Sequence, residues 1–249
     1  MMAKLFSPLN AGAFELSHRV VALGSSLAPP APGAGPHPAP YADRMRAGGL
    51  VVAGPMGFGL APAEIAAWRR VVGAVHDRGG VALAQLPGAG APAQHAQAAV
   101  HAQQAGFDGL EVDATLTGAG MAFIEEAARD GGALPEVLAT LAETWSRDRI
   151  GVRLAPCSRG MAIDPARRLR LFTDILTMLG EEEVAYVHLV VDEAHRLGGP
   201  EGPIGTSGLA RDLRSAFRGI LIVSGDYSEA EAIRLVDSRW ADAVEVRRP

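Results

Sequence analysis

The chain has 249 residues, of which 48% are hydrophobic and 20% are charged, with a formal net charge of −5 and a pI near 5.8. This length and composition suit one large α/β domain with an ample core, and they exclude a chain that is disordered throughout. The acidic balance and the scattered arginines give no general attraction to nucleic acid or to anionic lipid, so neither is expected as a partner.

The amino terminus and the single cysteine narrow the class of protein further. Residues 1–8 lack the apolar core of a signal peptide, and no apolar run is long enough to span a bilayer, so a cytoplasmic protein without a membrane partner is expected. Because Cys157 is the single cysteine of the sequence, an internal disulfide and a multi-thiolate metal site are excluded. A small half-buried thiol is preferred over a nucleophile, which would need a positioned base.

Strand and helix patterns alternate along the chain after a capping segment at 5–19. Prolines from Pro29 onward make 28–40 a loop, because proline suits neither a helix interior nor a sheet interior. β-Branched and apolar runs predict eight strands, at 19–24, 49–53, 81–86, 109–113, 150–154, 185–190, 220–224 and 241–246. Helical periodicity and capping residues predict helices near 41–47, 62–77, 93–105, 119–129, 134–145, 164–179 and 207–216, and one after Ser228.

Eight short strands separated mainly by helices indicate a parallel (β/α)8 TIM barrel. We expect a single TIM-barrel domain over 1–249, with the Pro/Gly-rich loop at 28–40. The expected barrel lacks the last helix, which leaves room for a partner chain or a second copy. An open doubly wound sheet and a two-domain chain remain alternatives, although no G-x-G-x-x-G sequence in the first βα turn supports a dinucleotide-binding unit.

Three polar residues fall at the carboxyl ends of predicted strands, the end where barrel enzymes carry their chemistry. Asp113 ends the fourth strand, and Gln85 lies near the end of the third, where a ligand is one source of hydrogen-bond partners. Arg153 lies inside an apolar strand, and a buried guanidinium is costly unless it is paired. Its partner is either an anion or an electron-rich ring in the barrel mouth, or a Glu or Asp on a neighbouring strand.

Other candidate sites carry weaker signals. His76 in the last turn of a helix favours a structural role, since the helix dipole favours a cation there. The segment 225–228 opens a helix whose amino terminus is an available phosphate site, or it is an ordinary turn. A hydrolase built from Cys157, His188 and His195 has no supporting spacing.

Several runs of residues, in this order, resemble the old yellow enzyme family of FMN-dependent ene reductases. The runs are 5–9 with 16–21, 47–52, 68–71 with 74–76, 84–86, 105–112 and 149–156, and more weakly 222–227 and 241–249. No single run is diagnostic, but the ordered set extends from one end of the chain to the other and is fairly specific.

The resemblance implies a barrel that binds FMN noncovalently at the carboxyl ends of the strands. It implies that NAD(P)H supplies electrons for reduction of a small-molecule substrate such as an activated alkene. The Gln85 amide is expected to meet the flavin pyrimidine, and Arg153 to stabilise negative charge on the reduced ring. Ser26 corresponds to a hydroxyl near the flavin, and Gly225 and Arg248 match parts of the phosphate-binding segments.

The sequence departs from the family where the substrate binds. The family's substrate-binding His and its Asn or His partner correspond to Asp113 and Leu116, and its tyrosine acid corresponds to Gly118. Asp113 is the candidate catalytic residue of this divergent site, as an acid with a raised pKa or as a ligand for a cationic substrate. The alternative is a barrel without ene-reductase activity that serves as a binding or interaction module. A shortened segment at 87–94, and Arg247 in place of a glycine, favour that alternative.

Overall fold

A computed structural model describes residues 3–24, 35–115, 133–156, 164–191 and 213–246 of the chain. The strands are β1 (Leu9–Ala11), β2 (Phe14–Leu16), β3 (Val20–Leu23), β4 (Leu50–Ala53), β5 (Val81–Pro87), β6 (Gly109–Asp113), β7 (Ile150–Leu154), β8 (Tyr186–Val190), β9 (Leu221–Tyr227) and β10 (Ala243–Val246). The helices are α1 (Pro38–Arg44), α2 (Pro62–His76), α3 (Pro92–Ala105), α4 (Ala133–Ala142), α5 (Pro165–Glu181) and α6 (Glu229–Asp237).

Strands β3 to β10 close into a barrel in which each strand pairs with its sequence neighbours and β10 pairs with β3. Every pairing in the barrel is parallel. The expected (β/α)8 barrel is therefore confirmed. The predicted strand boundaries lie within two residues of the observed ones, except that β9 continues to Tyr227, which pairs with Val246 beyond an irregularity in the register.

The amino-terminal segment, expected only as a cap, forms an antiparallel hairpin of β1 and β2. Both strands alternate buried and exposed residues, the pattern of a strand with one face on a core. Leu9, Phe14 and Leu16 join a buried cluster with Leu50 and Leu83 at the amino-terminal halves of the barrel strands. The hairpin thus closes this end of the barrel, which we call the floor, and the opposite end is the mouth.

Helix α1 begins at Pro38. The last three residues of the loop expected at 28–40 are therefore helical. Pro38 and Pro40 lie in the first turn, where a missing backbone N–H breaks no helical hydrogen bond. His37 caps this turn, since its Nδ1 accepts from Ala39 N at 3.3 Å. The helix expected at 41–47 therefore starts and ends three residues earlier.

The outer helices pack through the apolar faces that the sequence predicts. In α2, Ile65, Trp68, Val72 and Val75 are buried. Asp164 caps α5 as expected, because its carboxylate accepts from the backbone N–H groups of two residues in the first turn, at 3.0 Å each. The expected helix at 119–129 and most of that at 207–216 lie outside the described residues. No helix in the described part of the chain has the length and hydropathy needed to cross a membrane.

Candidate active site

Polar side chains cluster inside the barrel along five adjacent strands, β5 to β9. The parallel register places Gln85 beside Glu111 and places Arg153 beside both Asp113 and His188. Residues two apart in a strand share a face, so Glu111 and Asp113 point to one side of β6. The register places the polar residues of the neighbouring strands on that same inner side of the barrel. The five strands therefore form one polar wall near the mouth.

Glu111 is the centre of this wall and is fully buried. One carboxylate oxygen, Oε1, accepts from Gln85 Nε2 at 2.9 Å. The other, Oε2, accepts from Tyr186 Oη at 3.0 Å and lies 2.9 Å from His188 Nδ1. A carboxylate can only accept hydrogen bonds, so His188 Nδ1 carries the hydrogen in this contact.

These partners determine the charge state of the buried carboxyl. Burial acts to raise the pKa of Glu111, but the charge and hydrogen bond of His188, with smaller contributions from Arg153 and Gln85, hold that pKa below its usual value. Burial, together with the neighbouring Glu111 carboxylate, raises the pKa of Tyr186 well above 10. The wall therefore holds an ionised glutamate and a neutral tyrosine at neutral pH.

Two further residues complete the arrangement around Tyr186 and His188. The Tyr186 ring lies over Gly151, where any side chain would collide with it because an added Cβ would approach the ring to 2.2 Å. His188 Nε2 lies 2.9 Å from Ser224 Oγ, and the hydroxyl can donate to a neutral ring or accept from a protonated one. His188 and Ser224 are both buried.

Within this wall, Arg153 and Asp113 form an ion pair with NH1 and Oδ2 3.3 Å apart. Asp113 Oδ1 accepts from the backbone N–H and the hydroxyl of Thr115, at 3.0 and 2.6 Å. The Arg153 side chain is 12% exposed and that of Asp113 is 25% exposed. Of the two partners that the sequence allowed for Arg153, the structure shows the carboxylate on the adjacent strand.

The pairing leaves one nitrogen of Arg153 unsatisfied. Arg153 Nε is buried and has no hydrogen-bond partner among the described residues. A buried donor without a partner costs about 1–3 kcal/mol. This position is thus a place where a ligand with an acceptor atom would be stabilised.

The remaining predicted site residues are only partly described. Ser26, Leu116, Gly118, Cys157, His195 and Arg248 lie outside the described residues. Gly225 lies within β9, and an added Cβ there would approach Val191 O to 2.5 Å. The packing of β9 against the end of β8 therefore requires glycine at this position, whether or not a phosphate binds there.

The amino terminus of α6, one of the candidate phosphate sites, already holds an anionic side chain. The Glu231 carboxylate accepts from the backbone N–H of Ser228 at 2.7 Å and from its hydroxyl at 2.6 Å. Ser228 Oγ in turn accepts from Glu231 N at 3.4 Å, which completes a capping box. The donors at this helix terminus thus serve the helix itself.

Two histidines outside the mouth have structural contacts. His76 Nε2 lies 2.9 Å from Asp108 Oδ2, and the same carboxylate oxygen accepts from Ala82 N at 2.8 Å. His76 thus contacts a carboxylate that also binds the start of β5, and its structural role stays a prediction. His95 is buried, and its two ring nitrogens face the carbonyl oxygens of Pro87 and Ala91. No group of three or more potential metal ligands is found among the described residues.

Sequence reasoning singled out Gln85, Asp113 and Arg153 but missed the buried residues that hold them. The missed residues are Glu111, Tyr186 and Ser224, and His188 had been considered only for a hydrolase site. A signal for Glu111 and His188 was present, since each charged or polar side chain stands between two apolar residues of a strand. The argument applied to Arg153, that such a group must be paired, applies to both.

Comparison with known proteins shows similarity along nearly the whole chain to proteins named as reductases. A 12-oxophytodienoate reductase 7 from Oryza sativa subsp. japonica is 28% identical, over 99% of this chain and 84% of its own length. A chanoclavine-I aldehyde reductase from Penicillium roqueforti (strain FM164) is also 28% identical, over 97% and 84%. No protein-family model matches the chain.

Solved structures agree with the barrel. A morphinone reductase superposes with a TM-score of 0.78 at 23% identity, over 98% of this chain and 86% of the other. An old yellow enzyme homologue from Zymomonas mobilis gives a TM-score of 0.74 at 21% identity, over 98% and 88%. Fold and site define a parallel barrel with a polar wall near its mouth. In sequence over nearly its whole length the chain is similar to these reductases, and in fold it is similar to an old yellow enzyme homologue.

Proposed function

We propose that this chain is an FMN-dependent oxidoreductase that uses NAD(P)H to reduce an activated alkene or a similar small-molecule acceptor. Similarity over nearly the whole chain supports the reaction class, since two of its relatives are named as a 12-oxophytodienoate reductase and an aldehyde reductase. The observation that carries the proposal is the buried Nε of Arg153, which lacks a partner among the described residues. It lies in the wall that also holds Gln85.

The donor set at the mouth fits the polar edge of a flavin ring. That edge carries carbonyl oxygens and ring nitrogens, and Arg153 offers a cationic donor to them. Gln85 offers an amide, which can both donate and accept. In this proposal Gln85 and Arg153 hold the ring, the Ser26 hydroxyl contacts it, and Gly225 and Arg248 bind the phosphate.

A bound FMN would supply hydride transfer between the reduced nicotinamide and the acceptor. Arg153 is proposed to stabilise negative charge at the ring edge, because a guanidinium stays charged at any working pH. Glu111 holds Gln85 in place and Asp113 holds Arg153, so that little reorganisation accompanies the reaction.

Asp113 is proposed to act as the counter-ion of Arg153. Both of its oxygens are engaged, one by Arg153 and the other by Thr115. Its carboxylate therefore partly neutralises the positive charge of the guanidinium at the mouth. Because a carboxylate would repel a developing enolate oxygen, the substrate carbonyl must find its hydrogen-bond donors elsewhere.

The alternative, a barrel that has lost its chemistry and serves as a binding module, is not favoured. Its main support is the replacement of the family's substrate-binding residues by Asp113, Leu116 and Gly118. The relatives that match nearly the whole chain carry the names of reductases. Within the described residues, the wall of the mouth is complete from β5 to β9.

Flavin titration of the purified chain tests the proposal. We expect FMN to bind with a change in its visible absorption, and NADPH or NADH to bleach the bound flavin under anaerobic conditions. Arg153→Gln should weaken FMN binding about tenfold or more, because it removes a charged hydrogen bond. Arg149→Gln is the matched control, since Arg149 precedes the same strand but bonds Asp108 O at the floor. A chain that remains colourless with excess FMN contradicts the proposal.

A further inference from the structure

Among the buried residues of α3, His95 alone is polar, and all the others are alanines. A polar ring in such a place needs hydrogen-bond partners. Its Nε2 lies 2.8 Å from Pro87 O, and its Nδ1 lies 3.2 Å from Ala91 O. Both ring nitrogens therefore face carbonyl oxygens of the backbone.

The two carbonyl groups lie at opposite ends of the connection between β5 and α3, residues 88–91, which we call the rim segment. Pro87 is the last residue of β5, and Ala91 is the N-cap of α3. The rim segment reads Gly-Ala-Gly-Ala, so it has no side chain larger than a methyl group with which to anchor itself. The ring of His95 thus fastens both ends of a segment that has little packing of its own.

The rim segment borders the mouth of the barrel. Gly88 N donates to Asp113 O at 2.9 Å, so the segment starts against the strand end that carries the ion pair with Arg153. Gly90 packs on Phe58, since an added Cβ would approach that ring to 2.7 Å. A shift of the rim segment therefore changes contacts at the mouth.

The charge of His95 decides how many carbonyl groups the ring can bind. A carbonyl oxygen only accepts hydrogen bonds, and a neutral imidazole has one N–H, whereas an imidazolium has two. A neutral ring would keep the shorter contact, to Pro87 O, and would turn the lone pair of Nδ1 toward Ala91 O. Two acceptors would then meet in a buried site, which is unfavourable.

Two features of the site oppose the charged form. The ring is fully buried, and it lies near the amino terminus of α3, where the helix dipole disfavours a cation. Phe58, whose ring meets the His95 ring edge to face at 5.0 Å between centroids, is uncharged. Each charge state of the ring thus leaves one unfavourable contact.

Charged groups on the neighbouring elements are engaged elsewhere or exposed. On α3 itself the other titratable residue is His101, six positions further along the helix. The titratable side chains of the elements packed against α3 each contact a group other than His95, apart from an exposed glutamate on α4; they are Glu64, Arg69, Arg70 and His76 of α2, Glu111 and Asp113 of β6, and the exposed Glu136.

We infer that His95 is a proton-dependent clamp on the rim segment. Between about pH 5 and pH 8, the range in which histidine changes charge, protonation of the ring fastens the segment at both ends and loss of the proton releases its Ala91 end. The clamp thereby makes entry to the mouth dependent on pH. This inference goes beyond the proposed function, because it concerns the motion of the rim and not the chemistry of the ligand.

Nuclear magnetic resonance of the ring nitrogens tests the two states directly. In a chain labelled with 15N-histidine, His95→Gln identifies the His95 signals among those of the seven histidines. We expect both ring nitrogens to carry hydrogen near about pH 5 and only Nε2 to carry it near about pH 8. A ring that holds the same number of protons at both pH values overturns the inference.

Hydrogen exchange tests whether the proton holds the segment. The amides of Gly88 and Ala91 bond Asp113 O and Gln94 Oε1. After correction for the intrinsic exchange rate, their protection should fall about tenfold as the pH rises through this range, because one charged hydrogen bond is lost. In the wild-type chain this step must occur at the pH at which Nδ1 loses its hydrogen, and a step at any other pH overturns the inference.

Two variants separate the clamp from other effects of pH. His95→Gln cannot be protonated, so the step in protection should disappear. His101→Gln is the matched control, since it removes a histidine from the same helix without touching the rim segment, and it should keep the step. A step that persists in His95→Gln, or that is lost in His101→Gln, overturns the inference.

The association rate of FMN tests the effect on the mouth. Because binding slows when it requires a conformational change, we expect the ratio of the rate near about pH 8 to that near about pH 5 to be about threefold larger in the wild type than in His95→Gln. Equal ratios overturn the inference, since the clamp would then not control entry. If the chain binds no FMN, the proposed function fails, and the ring-nitrogen and exchange measurements still decide the clamp.

Discussion

The floor and the mouth of the barrel are built from the same strands but from opposite kinds of residue. At the floor, the hairpin of β1 and β2 inserts Leu9, Phe14 and Leu16 against the apolar starts of the strands. At the mouth, the same barrel interior holds Glu111, His188 and their partners. The difference separates two tasks, since the apolar end supplies stability and the polar end supplies chemistry.

Polar residues at the two ends also differ in what they contact. At the floor, Arg149 donates to Asp108 O, and His18 contacts the backbone groups of Val20 and Arg46. At the mouth, the side chains of the wall contact one another. A contact to backbone fixes the fold, whereas a network of side chains fixes the position of functional groups. Substitutions at the two ends should therefore affect different measurements.

The largest expected effect is the loss of stability in Phe14→Ala at the floor. Phe14 is buried in the cluster that closes the barrel, and removing a buried phenylalanine leaves a cavity. We expect the free energy of unfolding to fall by about 3 kcal/mol in urea denaturation. The affinity for FMN of the folded variant should stay within about twofold of the wild type, since the mouth is unchanged.

A loss below about 1 kcal/mol in Phe14→Ala would contradict the stabilising role of the hairpin. A large loss of flavin affinity in the folded variant would contradict the separation of the two ends. Leu16 offers a second test at the same cluster, and Leu16→Ala should reproduce both results.

At the mouth, Asp113→Asn is expected to have a smaller effect, which is a gain in FMN affinity and not a loss of stability. The substitution removes the negative charge that lies 3.3 Å from Arg153 NH1. The positive charge of the guanidinium is then less compensated, so FMN affinity should rise about tenfold, or about 1.4 kcal/mol. Asp108→Asn at the floor is the matched control and should lower stability without changing FMN affinity. An unchanged or weaker affinity in Asp113→Asn would refute the counter-ion role.

The two ends also differ in how far the sequence alone predicts them. The eight strands followed from β-branched apolar runs, because the strands of a parallel barrel are buried on both faces. The hairpin at the floor was not predicted, since each of its strands has only three residues and its pattern is too short to read. Helix α1 was placed too late because Pro38 and Pro40 were treated as helix breakers and not as first-turn residues.

At the mouth, the sequence identified several residues of the candidate site, but it did not identify the partners that they contact. The cost of burying a guanidinium correctly indicated that Arg153 is paired. The choice of Asp113 as partner depends on the register of β6 and β7, which only the folded barrel determines. The contact of Glu111 with Tyr186 and His188 crosses 75 and 77 residues of chain, and no local pattern reports such a distance.

Ser224→Ala should have a modest effect on stability. Ser224 Oγ is the partner of His188 Nε2 at 2.9 Å in the buried wall. Its removal leaves the ring nitrogen unsatisfied, and we expect a loss of about 1 kcal/mol in urea denaturation. Ser238→Ala is the control, because that hydroxyl bonds Arg234 O at the exposed end of α6. Equal losses in both variants would argue against a special role for the wall.

The smallest effect concerns the pH dependence of stability, to which His18 contributes at the floor. Its Nδ1 accepts from Val20 N at 3.1 Å, so the ring is neutral, and burial lowers its pKa from the ordinary value of 6.5. Its stabilising contribution is therefore complete above pH 6.5 and is lost as the pH falls toward the lowered pKa, because the unfolded chain binds the proton first.

His18→Asn keeps an acceptor for Val20 N but cannot be protonated. Its melting temperature should therefore fall less steeply than that of the wild type between about pH 7 and pH 5. His37→Asn is the matched control, since His37 is exposed and its cap can be replaced by asparagine. Equal slopes for the wild type and His18→Asn would place the acid sensitivity elsewhere. Because the ring is held by backbone groups of the floor, the substitution should leave the affinity for FMN unchanged.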